Sequence, residues 1–276
     1  MIEYTKSPFT YQEQLHLLES RGLLIPDHEE AEDFLKQVNY YRFTAYCIPF
    51  QKPRDEFLQG ISFDTIVNLY RLDKDLRIAV FAALAPLEIF LKTRVAYELS
   101  HKYGPFAHYD VSVYQNETEG KVWLEELETD IKERSEPFLQ HYREKYTGFP
   151  KLPIWIAIEI MSLGSLSKLY RNLTLENRNL ISSITGIDHN VLKTWLHTLT
   201  FVRNICAHHG RLWSRNFSIQ PLIPNKIPAW ADIVLNDKKM FTFVAILEWI
   251  YRKAQLPLSE IEPVFDVMNR ISTLDE

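Results

Sequence analysis

The chain is expected to be almost entirely α-helical, as an all-α bundle. Three observations lead there. Apolar residues recur at helical spacing over most of its 276 residues, the strand-like alternation of period two is rare, and only eight glycines interrupt it. Hydrophobic residues make up 46 % and charged residues 24 %, with aromatics spread along the whole length, so the chain has the composition of a folded globular protein with a substantial core.

The elements follow in order. Thr10 caps a helix through YQEQLHLLESRG, with Glu13 completing a capping box and Gly22 as the stop. Asp27 opens HEEAEDFLKQV in the same way, with Glu30 three residues on. The aromatic segment NYYRFTAYCIPF ends at Pro49; its tyrosines could stack on bases, but such clusters more often fill a core, and a core is the expectation here. QKPRDEFLQG reads as a surface connection. A long helix starts at Ser62 or Asp64 and runs to Lys102, kinked or divided by Pro86, whose missing N–H breaks the ladder. Gly104 and Pro105 end it. Residues 110–121 look like a loop, followed by helix from Val122 to Arg143 with an interruption near Pro137. FPKLPIW is extended. Further helices are expected over Trp155–Ser162, Leu166–Leu173, Glu176–Thr185, Asn190–His209 and Lys238–Lys253, with an irregular stretch carrying three prolines between Ser218 and Trp230. Residues 1–60 read as an N-terminal helical extension and residues 61–276 as the main domain.

Composition also limits function. The formal charge of −5 means that a polyanion would have to meet a local basic patch. Two cysteines, Cys47 and Cys206, suit a reducing cytoplasm rather than a disulfide framework. The N-terminal MIEYTKSPFTYQEQ lacks the pattern of a secretory leader, and the most apolar stretch, Ile78 to Leu91, carries Pro86 and Glu88, so neither a leader nor a membrane span is expected. There is no phosphate-binding glycine loop, no H-E-x-x-H and no hydrolase elbow. Cys206, His208 and His209 sit too close together to close a tetrahedral zinc site, so no metal or cofactor is expected.

The most loaded segment is FVRNICAHHGRLWSRNF, residues 201–217. Asp188 can cap its helix and Gly210 can end it. Leu192, Trp195, Leu196, Leu199, Val202 and Cys206 form one apolar stripe, and Arg203 projects from within it. A guanidinium keeps its proton, so a buried one needs a carboxylate, a phosphate or a seam open to water. A structural salt bridge inside the bundle, with Glu88 as a suitable partner, is the competing explanation. Asn204 and His208 are four apart and share a face, whereas His208 lies roughly 140° from Arg203 on an ideal helix. Only a long arginine arm or a loosened last turn brings the two to one ligand. A second constellation, Arg94, Glu98 and His101 at i, i+4 and i+7, shares one face of the long helix; an ion pair and a helix-end histidine explain it as well as chemistry does.

VRNICAHHGRLWSR resembles the signature of the bacterial abortive-infection proteins of the AbiD/AbiF type, a bacteriophage-resistance family within the HEPN superfamily. The mark of that superfamily is arginine, a polar residue and then histidine, matched by Arg203, Asn204 and His208 and followed by His209, Arg211, Trp213 and Arg215. FTYQEQLHLLESRGLLI, NYYRFTAY and the blocks from SFDTIVNLYRLDKDLR to LEIFLKTRVAYELSHKYGPF also resemble that family, in the same order. The resemblance implies a HEPN-type helical bundle, phage defence, RNA as the target and metal-independent cleavage by paired Arg–His motifs.

On that reading His208 is the general acid/base, Arg203 stabilises the phosphate in the transition state and Asn204 orients them. His209, Arg211 and Arg215 form a basic RNA-binding patch. Glu88, Arg94, Glu98 and His101 are a second or supporting site. A homodimer would supply the second half-site, unless Arg94 and His101 supply it within one chain. The alternative is a non-catalytic RNA-binding module held by a noncoding RNA or an antitoxin.

Overall fold

Thr10 caps the first helix through the box its sequence encodes. In the computed structural model, which describes residues 3, 5, 7–231 and 240–273, Thr10 Oγ1 accepts from the Glu13 N–H at 3.2 Å while the Glu13 carboxylate accepts from the Thr10 N–H at 2.7 Å, opening α1 (Tyr11–Ser20). Gly22 takes a left-handed φ of 93° just beyond the helix. Its N–H donates to Glu19 O at 2.8 Å and that of Leu23 to Leu18 O at 3.1 Å, the reversal that satisfies the last carbonyls of a helix. Asp27 caps α2 (His28–Gln37) by accepting from the Glu30 N–H at 2.9 Å. Asn39 caps α3 (Tyr40–Cys47).

The remaining helices are α4 (Phe63–Tyr103), α5 (Glu117–Glu133), α6 (Pro137–Lys145), α7 (Ile154–Ile160), α8 (Leu163–Asn172), α9 (Leu175–Ser182), α10 (His189–Ala207), α11 (Pro228–Ala231), α12 (Met240–Ala254) and α13 (Glu262–Ser272). Short 3-10 turns and isolated backbone bridges link them, and no strand occurs among the described residues. The fold is all-α. Of the expected final helix, residues 238 and 239 lie outside the described residues.

Three differences from the sequence reading have clear causes. Pro86 does not divide α4. The carbonyl it leaves without a helical donor belongs to Ala82, an exposed residue that water can serve. One residue on, the Tyr251 hydroxyl of α12 donates to the Ala83 carbonyl at 2.6 Å. Second, α5 begins inside the stretch expected to be a loop, because Asn116 accepts from the N–H groups of Thr118 and Glu119 and two glutamates occupy the first turn. Third, α13 lies beyond the helices the sequence reading predicts; its Val264, Val267 and Ile271 form a buried face at i, i+3 and i+7.

Two compact units divide the chain, Met1–Leu76 with Asp266–Glu276, and Arg77–Phe265. In the first, Phe34, Phe43 and Phe63 stack or meet edge to face, and the Tyr46 hydroxyl donates to the buried Asp73 carboxylate at 2.6 Å. The aromatic segment is therefore largely core, as expected, apart from Tyr41, which is 85 % exposed. In the second unit α10 packs on α8, α9 and α12, and its stripe from Leu192 to Cys206 is buried throughout.

Gly120 is a helix-interior glycine with a packing reason. A Cβ there would lie 2.6 Å from Tyr114 Cγ, and that buried ring is anchored by its hydroxyl, which donates to the His108 carbonyl. Alanine is normally the better helix former by about 1 kcal/mol, yet Gly120→Ala is expected to destabilise the protein by about 1–3 kcal/mol, because the ring cannot move without breaking its bond. Denaturant unfolding of the variant checks this; an unchanged or raised midpoint would show that the ring yields.

Candidate active site

The C-terminal end of α10 is built by the same reversal as the end of α1, with one change. The His208 N–H donates to Asn204 O at 3.0 Å, the His209 N–H to Cys206 O at 3.1 Å and the Gly210 N–H to Ile205 O at 2.8 Å. The left-handed position, filled by Gly22 after α1, is filled here by His209 at φ 56°. A side chain in that region costs about 1–2 kcal/mol. Gly210 sits close against the helix: a Cβ would stand 3.0 Å from Ile205 Cγ2, so that side chain would have to give way. The helix thus ends at Ala207, and His208, at φ −97° and ψ 16°, has left helical geometry. The His208 N–H still makes the i−4 bond of a helix, so its side chain leaves near the direction the spacing gives, and the long Arg203 arm is what would have to bring the two groups to one ligand. His208 and His209 are both exposed, as is Asn204.

Arg203 is partly buried, and its guanidinium carbon lies 5.5 Å from the centre of the Phe81 ring on α4. Its Nη1 reaches Asn204 Oδ1 at 3.5 Å, the limit of a hydrogen bond. Among the described residues no carboxylate pairs with it. Glu88, considered as its partner, is ion-paired with Lys92 at 2.9 Å. An aromatic face holds a guanidinium in place while leaving its N–H edge available. Arg215 is held in the same manner, 5.8 Å above Phe201, whose ring meets buried Phe217 edge-on. Arg211 is partly buried beside buried Leu212.

Arg203, Asn204, His208, His209, Arg211 and Arg215 thus occupy one helix end and the turn after it. On α4, Arg94 donates to Glu98 at 2.7 Å and lies 5.4 Å from the Tyr97 ring. His101 instead sits on Tyr97, with its ring 3.9 Å from the Tyr97 ring and Nδ1 2.8 Å from the Tyr97 carbonyl. Arg94 Nε is buried without a hydrogen-bond partner. Among the described residues no group of His, Cys, Asp and Glu is placed to hold a metal ion, and no helix is long and apolar enough to cross a membrane.

Sequence reading missed the two rings that seat the arginines. It also missed His108, fully buried with both ring nitrogens unpartnered. Burial and the neighbouring Lys151 charge push its pKa down to about 3.

Fold and site together define an all-α protein carrying an arginine, an amide and a histidine at a helix end. Residues 33–214, well over half of the chain, match the Abi-like protein family, so the chain belongs to it. Membership points to phage defence by abortive infection. The match runs from α2 to the turn after α10, taking in Arg203, Asn204, His208, His209 and Arg211 and stopping just short of Arg215. No curated protein and no solved structure matches the chain.

Proposed function

We propose that this protein is an endoribonuclease of the HEPN type that defends against phage by cutting RNA, with Arg203, Asn204 and His208 as its catalytic group. The observation that carries the reading is the state of Arg203: a partly buried guanidinium seated on an aromatic ring, without a carboxylate, beside an exposed amide and an exposed imidazole.

RNA brings its own nucleophile, the ribose 2′-hydroxyl. His208 accepts that proton as the 2′-oxygen attacks the adjacent phosphorus, since a histidine exchanges protons near neutral pH. Negative charge gathers on the non-bridging oxygens, where the N–H fork of Arg203 meets it. The bond to the 5′-oxygen breaks and that oxygen takes up a proton, giving a 2′,3′-cyclic phosphate and a 5′-hydroxyl. No step as written draws on a metal. His209, Arg211 and Arg215 form the basic patch that holds the strand in a chain of net charge −5. Incubating the purified protein with RNA and identifying the ends tests the reading: cyclic-phosphate ends are expected. RNA bound but never cut would favour a regulatory module instead.

The second half-site in this proposal comes from a second copy of the chain. Ile78, Ala82, Ala85 and Ile89 lie at i, i+4, i+7 and i+11 on α4 and are all exposed, the two isoleucines at 59 % and 65 %. Phe81, under Arg203, flanks this stripe and is itself 42 % exposed. An exposed apolar stripe of that extent favours a partner surface, and a two-fold axis through it would bring two Arg203 side chains together. Light scattering is expected to show a dimer, and Ile89→Arg to yield a monomer that has lost cleavage. A monomer with full activity would refute the arrangement and return attention to Arg94 and His101. The same reading makes the protein a cytoplasmic toxin and assigns the RNA chemistry to residues 61–276, with residues 1–60 as an accessory extension; a noncoding RNA or an antitoxin as its holder belongs to the regulatory-module alternative.

A further inference from the structure

α10 carries a second polar stripe that leads to the candidate active site. Lys193, His197, Thr200 and Asn204 lie at i, i+4, i+7 and i+11, so they share one face over ~16 Å of helix. The first three line one wall of a groove of about 460 Å³. The facing wall is α8, which contributes Gly164, Ser167, Lys168 and Arg171 at i, i+3, i+4 and i+7. Gly164 lies against the facing helix, where a Cβ would stand 3.4 Å from Thr200 Cγ2. On the α5 side, Glu126 is taken up by Lys168 at 2.7 Å, which leaves Asp130 as the other acid. Among the described residues neither Arg171 nor Lys193 pairs with a carboxylate, and His197 is exposed between them and Asn204.

We propose that this groove is the track along which a single-stranded RNA reaches Arg203 and His208, with Arg171 and Lys193 binding successive phosphates. The inference rests on the nuclease reading for where the strand is going, but not for whether it binds. The chemistry of the groove suits a polyanion: Arg171 and Lys193 without a carboxylate, serine hydroxyls that can donate to phosphate oxygens (those of Thr194 and Thr200 already donate to Val191 O and Leu196 O), and few apolar side chains. The two walls are helices in direct contact, with axes on the order of 8–10 Å apart. A single strand would therefore lie along the exposed seam over the two helices, not between them.

The test uses cleavage-dead protein, so that binding is read alone. A fluorescein-labelled short single-stranded RNA is titrated with the His208→Ala protein and with the same protein carrying Arg171→Glu and Lys193→Glu, by fluorescence anisotropy over a range of salt. Charge reversal is expected to weaken binding by about tenfold or more at low salt. It should also flatten the dependence of log Kd on log salt by roughly 0.7 for each phosphate no longer neutralised. Arg171→Gln with Lys193→Gln should fall in between, and circular dichroism should show all variants folded. Equal affinity and equal slope would overturn the track, as would a duplex binding more tightly than the single strand. Groove-dependent binding by a wild-type protein that never cuts would sink the nuclease reading alone. Cutting by a protein whose binding ignores both substitutions would sink the track alone.

Discussion

Replacing His208 by alanine is expected to lower RNA cleavage by about 10²–10⁴-fold, the usual worth of a positioned general acid or base. Arg203→Ala is expected to cost about 10²–10³-fold through loss of charge stabilisation at the phosphate. The fold should survive both. His208 is exposed and its helix-end bond is made by its backbone N–H, so truncation is expected to shift stability by less than about 0.5 kcal/mol. Arg203→Ala gives up its packing on Phe81, worth about 0.5–1 kcal/mol. Arg203→Lys should not rescue activity, because an ammonium has neither the planar fork nor the same stacking on the ring. The double variant should be little worse than either single one, since the two groups act on one phosphodiester. These outcomes are read by the rate of appearance of cyclic-phosphate ends, with thermal unfolding as the control. Retained cleavage by purified His208→Ala protein would remove the mechanism.

A drop in pH should weaken the fold through His108. The folded protein holds this imidazole neutral down to about pH 3, while the unfolded chain takes up the proton near 6.5. The unfolded state therefore binds more protons between those values, and stability rises with pH across the window. Stability from this residue is complete above about pH 6.5 and falls away as pH drops toward 3, by roughly 4–5 kcal/mol in all. His108→Leu removes the titrating group at similar volume. Both ring nitrogens are buried without partners, so the change also removes a desolvation cost and should raise stability at pH 7 by about 1–2 kcal/mol. Urea unfolding of both proteins at pH 7 and pH 4.5 checks this; the gap between them should widen on the acid side. Parallel acid limbs would show that His108 does not carry the effect.

The reach of the sequence can be traced residue by residue. The caps at Thr10 and Asp27 were legible because a capping residue and its partner lie within four positions. Asn116 was just as local a signal, but the polar residues around it masked the start of α5. The Arg203–Asn204–His208 pattern was visible for the same local reason. The seat of its arginine on the Phe81 ring was not, nor was the way the helix ends, with His209 in the left-handed backbone that at the end of α1 falls to glycine. Lys193 and His197 stand at readable helical spacing, yet spacing alone does not say which helix face a neighbour covers.

The helical periodicity, the caps and the order of Arg203, Asn204 and His208 were determined by the sequence alone, since each depends on residues close together along the chain. Whether Arg203 meets a carboxylate or an aromatic ring was decided by tertiary structure, which sets Phe81 of α4 under a guanidinium of α10. So was the burial of His108, and so was the polar seam between α8 and α10. The physical reason is range: local hydrogen bonds and dihedral preferences act within about one turn of helix. Desolvation and charge pairing depend on whatever distant segment packs alongside.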